Sequence, residues 1–310
     1  MDVYLVTRPI QYVNVLNLPF EIKGAVLLLQ NNFSTFELLY NIAKQDKKRW
    51  SKIETFDTNC NIFKWLFCNY RFIDNFVTYS DLGVRWYILF NLFRRKTNIY
   101  LYEEGLASYS NHTLCKQKKV IYSFLNKCIM SEIHLGAHNK VKKIFVYDIR
   151  LHNKLIPSAI DRVCGFKYPL EIILSKEHLQ PMLYNKQDKY KGKNVFLYLT
   201  SWTYNKSICN YIPPNKECIR LIKPHPKLLL SNDILSIFDE VIDVEFIAEI
   251  VISNLLNVVN HLTVIHEGST SMLHFIPNDK LSEICLSSDT SLSYEHIKKI
   301  IIQLSRNKVS

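Results

Sequence analysis

The sequence predicts two doubly wound α/β domains, and three observations carry that expectation: a length of 310 residues, a hydrophobic content of 48%, and short apolar runs alternating with helical stretches. A chain of this length exceeds the usual single domain and can bury two cores of about 150 residues each. Alternation of strand and helix implies parallel sheets covered by helices.

The elements follow in order. Residues 3–6 form a short apolar strand that runs into Thr7-Arg8-Pro9-Ile10-Gln11, after which Tyr12, Val15 and Leu16 recur at helical spacing. Further strands are expected at 25–29, 76–79, 99–102, 132–135 and 143–147, with helical stretches such as 35–43 between them. The stretch 176–193 is polar and lysine-rich, contains Pro181 and Gly192, and has no strong apolar period. It reads as a linker between domains at 1–175 and 194–310. The second series has strands at 195–199, 218–222, 240–244, 263–265 and 283–286, with helices near 247–259 and 294–305. No internal repeat or low-complexity tract is visible.

Composition narrows the function. No apolar run approaches the roughly 20 residues that cross a bilayer, and the start lacks a secretory pattern, so a cytoplasmic protein is expected. The eight cysteines contain no Cys-x-x-Cys pair, which argues against a zinc site or a disulfide framework and for reduced, mostly buried thiols. Lys plus Arg outnumber Asp plus Glu by 39 to 28, a net charge of +11. That surplus favours an anionic partner such as a nucleotide sugar, an anionic lipid or nucleic acid, although an AT-rich genome also enriches lysine.

Three strand ends carry candidate chemistry. Residues 99–102 lead into Glu103-Glu104-Gly105, two carboxylates at the carboxyl edge of a parallel sheet, where open α/β folds bind ligands. Adjacent side chains of an extended segment point oppositely, so only one can face a ligand. Residues 218–222 lead into Lys223-Pro224-His225-Pro226, whose prolines restrain the histidine; a lysine and a fixed imidazole suit a leaving phosphate. Residues 263–265 lead through His266-Glu267-Gly268 into Ser269-Thr270-Ser271. Met272, Leu273 and Phe275 then suit a buried helix face, so hydroxyls and amides at a helix N-terminus are expected to form an anion site. Glu249 sits in the first turn of the helix expected at 247–259, where the helix dipole favours it.

In this order the three motifs resemble those of bacterial sialyltransferases: acid-acid-Gly, His-Pro, and Ser-Ser/Thr. The opening Thr7-Arg8-Pro9-Ile10-Gln11 looks like the Thr-Pro-x-Gln loop of the lipooligosaccharide sialyltransferase branch, with Arg8 inserted before the proline. Polysialyltransferases share the same three motifs. The resemblance implies the GT-B architecture, two Rossmann-like domains facing a central cleft. It implies Glu104 as catalytic base and His225 as the second catalytic residue. Lys223, Pro226, Ser269, Thr270 and Ser271 would serve the nucleotide and its phosphate, and Glu249 the ribose. Thr7, Gln11 and Glu103 complete the expected substrate-contacting set.

The activity so implied is an inverting transfer of sialic acid, or a related nonulosonic acid, from CMP-N-acetylneuraminic acid. Its acceptor would be a galactoside or other terminal sugar of lipooligosaccharide, O-antigen or capsule. Glu104 would take the acceptor's proton, while His225, Lys223 and the Ser269-Thr270 pair meet the charge growing on the departing CMP. One leaving phosphate requires no metal, and no Asp-x-Asp pair or His/Cys cluster is present. The expected partners are the nucleotide-sugar donor and a glycan or glycolipid acceptor, without nucleic acid; homodimer formation stays open. One rival is another CMP- or CDP-dependent surface-polymer transferase, such as a glycerophosphotransferase, against which Glu103-Glu104-Gly105 argues. A basic nucleic-acid-binding protein is the non-enzymatic rival, although no RNA-binding signature or helix-turn-helix is visible. Trp86-Tyr87-Ile88-Leu89-Phe90, followed by Arg94-Arg95-Lys96, suggests peripheral contact with the inner membrane, with a core helix as the alternative.

Overall fold

The computed structural model describes residues 1–33, 35–109, 134–175, 187–201, 204–214, 218–225, 228–244, 246–286 and 291–306. The chain divides into two compact units, Met1–Pro169 and Leu170–Ser310.

The first unit is built on seven parallel strands: β1 (Asp2–Val6), β2 (Ala25–Gln30), β3 (Trp50–Phe56), β4 (Asn75–Thr78), β5 (Asn98–Tyr102), β6 (Val141–Val146) and β7 (Val163–Gly165). Their order is β3-β2-β1-β4-β5-β6-β7. The central strands read as unbroken apolar runs because both of their faces are covered; every residue of β2 is buried. The edge strand β3 reads Trp-Ser-Lys-Ile-Glu-Thr-Phe and buries only Trp50 fully, so its apolar signal is weak and the sequence reading lacks it. After β3 the chain returns to the other side of β1, which places a topological switch point between β1 and β4. Helices α1 (Pro9–Leu16), α2 (Phe36–Gln45), α3 (Asn59–Asn69), α4 (Val84–Leu92) and α5 (Ile149–Leu155) connect these strands. Thr58 caps α3 by accepting a hydrogen bond from the Asn61 amide.

The stretch suggested for membrane contact is α4. Trp86, Leu89 and Phe90 are buried in the sheet's core cluster, where the Trp86 ring lies 4.6 Å from Phe63 and 5.9 Å from Phe76. Arg94, at its basic end, pairs with Asp74 at 2.7 Å and donates to the Ile73 carbonyl. Trp86, Leu89 and Phe90 therefore pack on the protein's own sheet, whereas Ile88 and Leu92 on the same helix are exposed. Among the described residues no helix is long and apolar enough to cross a membrane.

The second unit carries five parallel strands, β8 (Asn194–Leu199), β9 (Ile219–Lys223), β10 (Glu240–Val241), β11 (His261–His266) and β12 (Leu281–Cys285), in the order β10-β9-β8-β11-β12. Its switch point lies between β8 and β11. It also contains α6 (Leu170–Leu174), α7 (Asn232–Leu235), α8 (Ala248–Val258) and α9 (Ser291–Arg306).

The division at Pro169 falls before the stretch expected as a linker. Residues 176–186 of that stretch lie outside the described residues. Its remainder forms a 3-10 turn, Gln187–Tyr190, whose Tyr190 is buried and donates to Glu240, so its polar composition conceals a packing aromatic. The strand expected at 132–135 begins outside the described residues, and His134 and Leu135 are not in a strand. Six described cysteines are free thiols; Cys60, Cys68 and Cys209 are exposed, against the expectation of burial.

Candidate functional site

In the first unit the polar residues gather where β1, β4 and β5 end, at the switch point. Thr7 and Arg8 follow β1, Tyr79 follows β4, and Glu103-Glu104 follows β5. Gly105 adopts φ +86°, a left-handed backbone that releases the chain from the strand direction and that side chains other than hydrogen disfavour. The Glu104 amide then donates to the Ser108 hydroxyl at 2.8 Å.

The two carboxylates part as strand alternation requires. Glu104 is 17% exposed at its side chain and accepts from Gln11 Nε2 at 2.7 Å, with the Arg8 guanidinium 3.4 Å away. Burial raises its pKa above the usual carboxylate range, and Arg8 and Gln11 only partly offset that. Gln11 is itself fixed: its Oε1 accepts from the Thr7 amide at 2.7 Å and from the Thr7 hydroxyl at 3.2 Å. Thr7 and Gln11, expected to contact substrate, are buried and link up to orient Glu104. Arg8, which pairs with this carboxylate, is 67% exposed.

Glu103 points the other way. It is 1% exposed, and its Oε2 accepts from the Tyr147 amide at 2.9 Å and from the Tyr109 hydroxyl. Its carbonyl accepts from Asn14 Nδ2 at 2.7 Å. His152, which burial holds neutral with a pKa near 4, lies in the same pocket. Glu103 is thus held as an internal clamp, pointing away from Glu104 as alternation along the strand requires. Glu103→Gln leaves one neutral oxygen to accept from both Tyr109 and Tyr147 and puts an amide NH2 into the buried pocket, so it should destabilise the fold by about 1–3 kcal/mol. An unchanged melting temperature would contradict this clamp role.

The second unit repeats the arrangement at the ends of β8, β9 and β11. Lys223, the last residue of β9, is 6% exposed and donates to the Asp243 carbonyl at 3.1 Å. Burial lowers its pKa to about 8, against the opposing pull of Asp243 and Glu249. The His225 amide donates to Thr200 Oγ1 at 2.7 Å, which ties the histidine's backbone to the end of β8. Glu249, at the start of α8, is pushed up by burial and pulled back by a hydrogen bond from Ser271 and by the charges of Lys223 and His274. Lys223, Glu249 and Ser271 thus lie together, with Glu249 between the other two. Pro226 lies outside the described residues.

The segment after β11 corrects the sequence reading. The expected helix is a 3-10 turn of three residues, Thr270–Met272. Gly268, at φ +78°, turns its own amide and that of Ser269 back onto His266 Nδ1, each at 3.0 Å. Those two amides are therefore turned inward onto the imidazole and away from any anion. Sequence reasoning also missed the partners of His266: Glu283 at 2.9 Å, and beyond it Lys298 and Tyr294.

Fold and clusters together define a protein of two doubly wound α/β units, each with its polar groups at the carboxyl ends of parallel strands. No family model and no curated protein matches the chain. Among solved structures it is similar to two of the wall teichoic acid polymerase TagF with CDPG, from soaks of 15 and 30 minutes. Their TM-scores are 0.49 and 0.46, each at 11% identity over 88% of this chain. The chain spans about two thirds of their length, 67% and 66%.

Proposed function

We propose that the chain is an inverting transferase that moves a sialic-acid-type sugar from a CMP-linked donor onto a hydroxyl of a surface glycan. Glu104 carries this reading: a carboxylate at a switch point, mostly buried, oriented by Gln11 and raised in pKa has the properties of a general base. The acceptor hydroxyl would give its proton to Glu104 as its oxygen attacks the anomeric carbon. The bond to the CMP oxygen breaks, and the charge left on the phosphate is met by Lys223, with His225 and the Ser269 and Thr270 hydroxyls completing the expected anion site.

A second reading is transfer of glycerophosphate from a CDP-linked donor. The observation favouring it is the Lys223 ammonium beside Glu249 and Ser271, which suits a cytidine diphosphate as well as a monophosphate. The deciding experiment incubates the protein, in excess EDTA, with CMP-sialic acid or CDP-glycerol and a panel of galactosides, sialosides and glycerophosphate oligomers, with products read by mass. Sialylated product formed in chelator is the expected result. Product from CDP-glycerol alone establishes the second reading, and turnover restored only by magnesium or manganese defeats the metal-free mechanism. No product from either donor, together with salt-sensitive binding of random oligonucleotides, would return the chain to the nucleic-acid class.

A further inference from the structure

The Ser269–Ser271 turn is held from behind by a buried charged network that the proposed reaction does not use. His266 closes β11 with no exposed side-chain surface, and its Nδ1 accepts both the Gly268 and Ser269 amides. Two donors on Nδ1 leave the proton on Nε2, which faces Glu283 Oε1 at 2.9 Å. Glu283, on β12, also accepts from the Tyr294 hydroxyl, and its Oε2 lies 3.0 Å from Lys298 Nζ. Lys298, on α9, turns its ammonium onto the carbonyls of Met272, Leu273 and Phe275. Burial raises the Glu283 carboxyl, but His266, Lys298 and Tyr294 outweigh it and keep the group below the usual range, hence ionised.

We propose that His266, Glu283 and Lys298 act as one brace that positions Ser269, Thr270 and Ser271 for the donor phosphate, with His266 as its key positioning residue. The proposal rests on the reading of the Leu170–Ser310 unit as donor-binding. Both ends of the segment are gripped: the leading amides by the imidazole and the trailing carbonyls by the ammonium, with one carboxylate joining the two. A three-residue 3-10 turn has too few hydrogen bonds of its own to fix its shape. Burying the Lys298–Glu283 pair with its imidazole costs desolvation that an apolar plug would avoid, so its return here is geometry. That geometry reaches the site, because Ser271 ends on Glu249, which in turn feels Lys223.

The test compares His266→Phe, which keeps a ring but has no acceptor, with His266→Asn, whose Oδ1 restores an acceptor near Nδ1. Both are made in the full chain and probed with CMP by calorimetry, with initial rates and with amide hydrogen exchange. His266→Phe is expected to weaken CMP binding and raise the donor KM at least tenfold, leave the acceptor KM unchanged, and expose the Gly268 and Ser269 amides to exchange. His266→Asn is expected to recover most of each. If His266→Phe does not fold, Lys298→Met releases the carbonyl end and is read the same way. A folded variant that binds CMP as wild type does overturns the proposal. If wild type itself binds no cytidine nucleotide, the functional reading fails, and unchanged protection of Gly268 and Ser269 in the variants then overturns the brace separately.

Discussion

Glu104→Gln is expected to lower turnover by on the order of 10²- to 10⁴-fold while leaving CMP affinity close to the wild-type value. The hydrogen-bonding and ionic partners of Glu104 are Gln11 and Arg8, both in the Met1–Pro169 unit, whereas Lys223, Glu249 and Ser271 belong to Leu170–Ser310. A base serves the acceptor's proton, so removing it should not reach the nucleotide. The pH profile sharpens the expectation. Because burial raises the Glu104 carboxyl, the acid limb of the rate should lie above the ordinary carboxylate range. Stability should move in the opposite sense to activity. A carboxyl whose folded pKa exceeds its unfolded value contributes stability at low pH that is lost as pH rises through the folded value. Near neutrality the ionised Glu104 therefore burdens the fold, and the glutamine variant should melt no lower than wild type. Turnover near wild type with an unshifted acid limb would remove Glu104 from the mechanism.

The residues themselves explain how much of this was legible. Central strands such as β2 announce themselves because a strand covered on both faces must be apolar throughout. The edge strand β3 is polar at Lys52 and Glu54 and needs its neighbour to be recognised. Alternation separates Glu103 from Glu104 on sequence alone, but only the fold shows that Glu103 enters a pocket of Tyr109, Tyr147 and His152. The brace was hidden because its members lie on β11, β12 and α9, brought together by strand pairing between β11 and β12 and by the packing of α9. One signal was available. Tyr294, Ile297, Lys298 and Ile301 fall on one helical face, all buried, so periodicity placed a lysine where an apolar residue belongs. The helix expected after Ser269 failed for the converse reason: apolar spacing at Met272, Leu273 and Phe275 is equally met by a turn whose carbonyls are taken by Lys298.

Lys223→Met is expected to weaken CMP binding by about 10- to 150-fold, the equivalent of the roughly 1.5–3 kcal/mol carried by a charge-assisted hydrogen bond. The pH dependence distinguishes this from a packing effect. In the free protein burial lowers the lysine's pKa from 10.5 to about 8, and a bound phosphate would raise it again. Binding above that pH must therefore take up a proton, and wild-type affinity should fall about tenfold per pH unit beyond it until the bound-state pKa is reached. The methionine variant, with no proton to gain, should bind weakly and with a flatter profile. Calorimetry in two buffers of different ionisation enthalpy reads the proton directly: uptake near pH 9 in wild type and markedly less in the variant. Stability gives the internal control. A lysine whose folded pKa lies below its unfolded value disfavours the fold at neutral pH, and that penalty fades as pH rises from the folded toward the unfolded value. Lys223→Met should consequently be as stable as wild type, or more so, at pH 7, so its loss of binding cannot be attributed to unfolding. Wild-type affinity that is level between pH 7 and 9, or a variant that binds CMP as tightly as wild type, would remove Lys223 from the phosphate site.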